Sequence, residues 1–492
     1  MTASTRQPAI CTPGRLLFAI TWTIVTFQLM LSSFTGLLLL SGSESGQINP
    51  CEQAALIRAI RNRLACHEAE LQGCIFPEGR LFSRSYYAFS LVNIGLAPNT
   101  TKDFRDFARE EVKRLIGEVK PLLYERPFCW CQNLRPKGGI IWTGNTNLMR
   151  AGYVLLGGND PEIIREFHET SASLYADFLA SPSGCLESYP EEFWPCDNCH
   201  ALTSLRLHDD LYATKYSIAC DRWVASMRSC LDPQDGLIPT LLDKHAEILQ
   251  RPRGCAMSWM LAFMPQFAPT FAKEQYARYS RTWSISALGM QFFREWPTGS
   301  WDVIDSDSGL VVGDAGMAAT GVGIAATRAN RDFYSCQRQQ RAVEYLGLPT
   351  WSLAGEKTYF LRRLLVADVL ALWGKTITSW RPKVSETSNS LKRIDHQTTN
   401  DSWMNLVSFA GIAVLILAFS IWMLRKRLRE FRARKPIWSK LTVCCFSLQL
   451  AASLLYIFFS DFILLAAMAI LTVIEACFLH LLPFLSWFGL NR

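Results

Sequence analysis

Ser181-Pro-Ser-Gly-Cys-Leu-Glu-Ser-Tyr-Pro-Glu-Glu-Phe-Trp-Pro-Cys-Asp-Asn-Cys-His200 gathers acids, thiols and aromatic side chains into one Pro/Gly-punctuated stretch. Two later stretches have the same character: Arg251-Pro-Arg-Gly-Cys-Ala-Met-Ser-Trp259 and Arg294-Glu-Trp-Pro-Thr-Gly-Ser-Trp-Asp-Val-Ile-Asp-Ser-Asp307. Loops of this kind cost order without building a core, so they carry sites more often than helices do.

The segments around them have helical periodicity. Apolar residues recur at three- and four-residue spacing over 54–71, 103–119, 161–179, 201–216, 216–229, 255–267, 273–293, 316–330 and 339–346. No stretch alternates over a strand length, and no Asn-Gly turn joins β-rich runs. Helices recur every 20–30 residues, and the loops between them alternate in length. That rhythm predicts paired helices in an (α/α)6-type toroid, or else a solenoid. In a toroid the rich loops, which follow alternate helices, converge on one face.

Farther out, four uncharged apolar runs predict transmembrane helices: Leu16–Leu40, Asn405–Leu424, Leu441–Phe459 and Phe462–Leu482. Residues 425–440 hold eight basic residues and one acid, which matches the net charge of +7 for the whole chain. The basic balance is thus a topology signal and gives no support for nucleic-acid binding. The positive-inside rule puts that loop in the cytoplasm, together with Arg6, Arg15 and Arg492. The expected layout is a cytoplasmic start and first span over 1–43 and an external domain over 44–380. A polar tether over 381–402 and three more spans over 403–492 follow. The lipid bilayer is therefore an expected partner, and the expected location is a cell inner membrane with the large domain outside. Glu475 in the last span is either a functional acid or a polar contact between spans.

The strings Tyr189-Pro-Glu-Glu-Phe-Trp-Pro-Cys-Asp-Asn198, Gly236-Leu-Ile-Pro239, Pro252-Arg-Gly254, Arg294-Glu-Trp-Pro297 and Asp305-Ser-Asp-Ser-Gly309 resemble bacterial membrane-linked α/α-toroid proteins. They are distantly similar to the linalool dehydratase/isomerase domain. The resemblance spans about residues 130–335. It implies a site at the barrel centre, where a cysteine pair with neighbouring acids and a tyrosine moves a tertiary alcohol's hydroxyl. Cys185 and Cys196 are the positions that could match that pair.

Twelve of the sixteen cysteines fall in the external domain, where thiols tend to oxidise, so disulfides are expected. A staple between Cys185 and Cys196 is one form of this. Cys196-Asp-Asn-Cys199-His200 fits the pattern for covalent haem, and the same residues could start a zinc site. Neither has a second half in the sequence, so no cofactor and no metal are expected.

The acid–base candidates are Asp197, Glu295, Asp305 and Asp307, and crowding among Asp302, Asp305 and Asp307 would raise their pKa values. Their bland reading is helix capping, which applies equally to Asn198. Arg253 and Arg294 are placed to orient a substrate, with Trp142, Trp194, Trp259, Trp296 and Asn198 around it; Trp301 is a further stacking candidate. Arg253 could instead tie loop ends together. The small residues of 314–326 lack the strand of a dinucleotide loop, and close helix packing explains them. The leading expectation is a membrane-anchored envelope enzyme. It would perform lyase, isomerase or hydrolase chemistry on an isoprenoid-like alcohol or a saccharide. The alternative is a non-catalytic toroid that binds glycan, lipid or an envelope protein.

Overall fold

The computed structural model describes residues 48–381, apart from 288 and 299–304. All four expected spans, Glu475, Trp301 and Asp302 lie outside the described residues. Among the described residues no helix is long and apolar enough to cross a membrane.

Among the described residues, twelve helices longer than ten residues alternate between two shells. The outer ones are α1 (Pro50–Ala65), α3 (Lys102–Val119), α5 (Pro161–Ala180), α7 (Ile218–Ser229), α9 (Pro269–Trp283) and α11 (Phe333–Leu346). The inner ones are α2 (Gly79–Gly95), α4 (Gly139–Leu155), α6 (Pro195–Tyr212), α8 (Gly254–Phe267), α10 (Met317–Ala329) and α12 (Leu365–Thr376). Each inner helix packs on the next inner helix, and α12 packs back on α2, which closes the ring. Each outer helix lies against an inner neighbour. The domain is therefore mainly helical with a toroid layout. Short hairpins decorate it, among them β1 with β2 (Leu241–Leu242, Ile248–Gln250), β3 with β4 (Ser284–Ala287, Met290–Phe293) and β5 with β6 (Val311–Val312, Ala315–Gly316).

The two shells start differently. Asn49, Thr101, Asp160 and Asp332 cap α1, α3, α5 and α11 by accepting from backbone N–H groups of the first turn. None of the six inner helices has a side-chain cap at its N-terminus. Each of those N-termini is entered by a long loop, whereas short connections leave the C-termini. Six uncapped helix starts thus face the loop side, where the helix dipoles favour negative charge.

Three inner helices, α2, α4 and α12, escape the sequence reading. Every residue of α2 except Arg80 is buried, and α4 is buried from Gly139 to Tyr153. A helix covered on all sides shows no apolar stripe. Other expectations change at their ends. The segment 273–293 is helical only to Trp283 and then turns into β3–β4 around Gly289, whose φ is +74°. The segment 54–71 breaks after Ala65 at His67, which has φ 58°. Helix α6 begins at Pro195, a good first residue because its ring pre-sets φ.

Aromatic side chains fill the ring axis. Tyr86 meets Trp373 at 4.7 Å, Phe263 stacks on Trp373 at 5.3 Å, and His200 lies 4.4 Å from Phe263. These residues come from α2, α6, α8 and α12, so the axis is a packed floor. The loops above are tied by backbone bonds. Ile140 N–H donates to Glu187 O at 2.8 Å, and Gly254 N–H donates to Glu295 O at 2.8 Å. At Gly254 an added Cβ would meet Arg294 O at 1.8 Å and the Ala319 methyl at 2.8 Å. Gly254→Ala is expected to lower stability by about 1–3 kcal/mol through overpacking. A denaturant melt checks this, and an unshifted midpoint would contradict it.

Candidate active site

Asp197 stands in the first turn of α6, above the aromatic floor. The helix start should hold its carboxyl ionised, but burial wins and pushes its pKa up to about 7, with Asp307 and Glu78 adding to the rise. Asp307 comes from the loop before α10. Burial raises it to about 6, and the charges of Asp305 and Glu78 push the same way. Two loops distant in sequence therefore bring two acids into one electrostatic neighbourhood. Glu78, at the start of α2, is the third member, and it accepts a 2.6 Å hydrogen bond from the Tyr189 hydroxyl.

Below Asp197, the Tyr86 hydroxyl is 2.7 Å from His200 Nε2. Burial lowers the His200 pKa to about 4, so its imidazole is neutral near pH 7. Trp259 leans against Tyr86 with ring centroids 6.1 Å apart. The Cys196 sulfur lies 3.9 Å from Asp197 Oδ1. Burial, then the Asp197 charge, raises the Cys196 thiol well above its usual range.

Arg253 organises the adjoining side. Its guanidinium grips Asp305 with two bonds of 2.8 Å and donates through Nε to Glu295 Oε1 at 3.1 Å. It also stacks over Trp296 at 4.4 Å. Arg253 and Glu295 are fully buried, and burial raises the Glu295 pKa to about 7 against the pull of Arg253. For Asp305 burial is outweighed by the Arg253 hydrogen bonds, so its pKa is lowered. Asp305 is therefore a charged clamp on the loop, and Arg253 already has its partners.

Several expected site residues are committed elsewhere. Asn198 caps nothing; its amide accepts from Leu186 N–H and donates to the carbonyls of Leu186 and Trp194, which fixes the loop entry. Trp142 donates to Val119 O on the outer helix α3. Trp194 donates to Glu192 at 3.0 Å, and Arg294 pairs with Asp314. None of Asp305, Asp307 and Asp314 caps α10, whose preceding residue is Gly316.

The disulfide expectation is overturned: all twelve described cysteines are free thiols. Cys185 neighbours Cys230 and Cys199, whereas Cys196 neighbours Asp197, Cys199 and Cys255. The helical start at Pro195 separates them, because Cys199 turns back to donate to Pro195 O and Cys185 stays in the loop held by Ser181 and Ser183. Among the described residues no three metal-ligating side chains are gathered. His200 Nε2 is paired with the Tyr86 hydroxyl, and the Cys-x-x-Cys-His string lies in the first two turns of α6.

Sequence reasoning missed Glu78, Tyr86, Tyr189 and Cys255 as site residues, and weighed His200 only as a haem or zinc ligand. Glu78 and Tyr86 border or belong to α2, which had no visible period. Tyr189 was inside the quoted loop, and nothing local distinguished it from its neighbours.

No protein-family model matches the chain, and no curated protein matches it. Solved structures similar to it include the following three. A D-mannose isomerase has a TM-score of 0.39 and 11% identity, covering 60% of this chain and 86% of its own. An unsaturated glucuronyl hydrolase specific for heparin has a TM-score of 0.41 and 11% identity, covering 60% and 85%. A GH76 α-mannanase from Bacteroides thetaiotaomicron has a TM-score of 0.37 and 11% identity, covering 60% and 84%.

Proposed function

We propose that the protein is an acid–base enzyme acting on a saccharide at the loop face of the toroid. One observation carries this: burial pushes Asp197 and Asp307, from separate loops, up to about 7 and about 6, and the Asp307 charge adds to the rise at Asp197. Such a pair can hold one carboxylic acid and one carboxylate at the same pH, as proton delivery and removal require. The higher pKa makes Asp197 the acid and Asp307 the base. Glu78, fixed by Tyr189, would accept a substrate hydroxyl, and Trp259 offers an apolar face to a sugar ring. The reaction class is isomerisation or hydrolysis, with Asp197 protonating the departing or migrating oxygen.

The expected pH profile is a bell. Activity rises as Asp307 ionises through about pH 6 and falls as Asp197 ionises through about pH 7. The two apparent values belong to the pair rather than to either residue. A rate measured from pH 5 to 8 on glycosides tests this, and a flat profile would remove the assignment.

A second reading rests on Cys196, whose sulfur lies 3.9 Å from Asp197 Oδ1. It is the linalool-type chemistry on an isoprenoid-like alcohol. Cys196→Ser keeps activity in the first reading and loses it in the second.

The proposal includes a place. The toroid would stand on the external side of a membrane, held by the four apolar runs outside the described residues. A reporter fused after Arg492 should be cytoplasmic and one inserted at Thr387 external; the reverse pattern would overturn the orientation.

A further inference from the structure

The side of the ring opposite the loops holds a pair of histidines that the proposed chemistry does not use. His168 stands in the first half of α5, and His208 in the last third of α6. His168 Nδ1 is 2.9 Å from His208 Nε2. His208 is buried, and His168 is half-buried.

The neighbours place the protons of this pair. Asp209 accepts from the backbone N–H groups of Tyr216 and Ser217 at 2.7 Å and from the Thr214 hydroxyl at 2.6 Å. These bonds outweigh burial and hold its carboxyl below the usual value. The one hydroxyl proton of Thr214 is therefore spent on Asp209. At 2.8 Å from His208 Nδ1, Thr214 can only accept, so that nitrogen carries a hydrogen. His208 Nε2 is then a lone pair while the ring is neutral, and His168 Nδ1–H donates to it. The donors run one way, from α5 through His208 and Thr214 to Asp209.

That direction limits how many protons the pair can hold. One extra proton makes one ring an imidazolium, and the N–H···N bond survives whichever ring holds the charge. A second puts hydrogens on both facing nitrogens and two positive charges side by side, so the bond becomes a repulsion and the rings must part. The surroundings screen it poorly. Tyr212 lies 4.4 Å from the His168 ring, and Phe167 and Tyr216 each lie 5.0 Å from the His208 ring. The charges that bear on His208 are those of His168 and Asp209. Burial, then the His168 charge, lowers its pKa to about 4, against the pull of Asp209. Other charged groups on the packed elements are engaged elsewhere: Arg165 with Glu169 on α5, Arg150 of α4 with Glu166, and Asp210 of α6 with Arg206 and Arg381. Lys215 and Asp221, at the turn into α7, are exposed.

We propose that His168 and His208 form an acid-released latch between α5 and α6, closed while the pair holds at most one extra proton and opened by the second. Helix α6 carries Asp197 in its first turn, so release loosens the element that presents that acid. This consequence rests on the proposed function, whereas the latch itself does not.

The test is hydrogen exchange of the full chain in detergent, read by mass spectrometry with α3 as the internal reference. Between pH 6.5 and pH 4, protection of α5 and of the last two turns of α6 should fall tenfold or more relative to α3. In His168→Asn the fall should be less than threefold. Its amide takes the Nδ1 position, donates to neutral His208, and flips to accept from the imidazolium. His208→Asn keeps a donor for Thr214 but has no Nε2. Both helices should then exchange at pH 6.5 as the wild type does at pH 4. No local fall in the wild type, or a fall in His168→Asn as large as the wild type's, overturns the latch. Native protection in His208→Asn at pH 6.5 overturns it as well. Absence of glycoside turnover at every pH would sink the proposed function and leave these exchange results standing.

Discussion

Asp197→Asn is expected to reduce activity at least roughly 100-fold, the usual scale for losing a general acid, while making the protein more stable above pH 7. The two effects have one cause. Burial lifts the folded-state pKa of Asp197 from 3.8 to about 7. Below the unfolded pKa both states hold the proton, and the group is neutral with respect to folding. As the pH rises through this window, the unfolded chain releases its proton and the folded chain does not, so stability falls until the folded group also ionises. Asparagine removes that penalty. The gain in melting temperature should therefore be absent near pH 4 and full at pH 8. Melts at both pH values, paired with a rate assay, check the claim. A variant that loses activity and gains no stability at pH 8 would show that Asp197 is not the desolvated acid.

Arg253→Ala is expected to destabilise the domain by about 3–5 kcal/mol, the scale for removing one partner of a buried ion pair. The residue is buried and serves Glu295 and Asp305 at once. Its loss leaves Glu295 without its cation in a fully enclosed position, where it must take up a proton, and frees the loop that presents Asp307. Arg253→Lys should rescue little, because one ammonium cannot reproduce the two-pronged grip on Asp305. Adding Glu295→Gln to Arg253→Met should recover part of the loss above the usual carboxylate range, since no buried acid then has to take up a proton on folding. Near-native melting of Arg253→Ala would refute the clamp.

Much of the fold was legible in the outer shell. Helices α3, α5, α9 and α11 are amphipathic, and their stripes appear in the sequence. The inner shell was half hidden, for a physical reason: burial on every side erases the contrast between faces. Residues of α2 such as Tyr86 were lost with it. The site was partly visible because its loops are chemically dense. What the sequence could not give was pairing at a distance. Asp197 and Asp307 look alike on paper to Asp305, yet Asp305 is spent on Arg253 while burial lifts the other two and Asp307 adds to the rise at Asp197. The cysteines show the same limit. An even count and an expected external location favour bridges, but Cys185 neighbours Cys230 whereas Cys196, in the first turn of α6, neighbours Asp197 and Cys255.

Ring closure joins the two ends of the domain. The first turn of α1 meets the last turn of α12 where Lys375 and Lys357 share Glu52 and Glu344, and Arg63 of α1 pairs with Asp368 of α12. The Glu52 and Arg63 pairs join residues some three hundred apart in the chain. During synthesis, five sixths of the ring must wait with Tyr86 and Phe263 facing solvent until α12 arrives to cover them. Such late, long-range contacts slow folding and expose apolar surface meanwhile. A nascent chain stopped before Leu365 should thus be a client for holding chaperones, and a few more residues should release it.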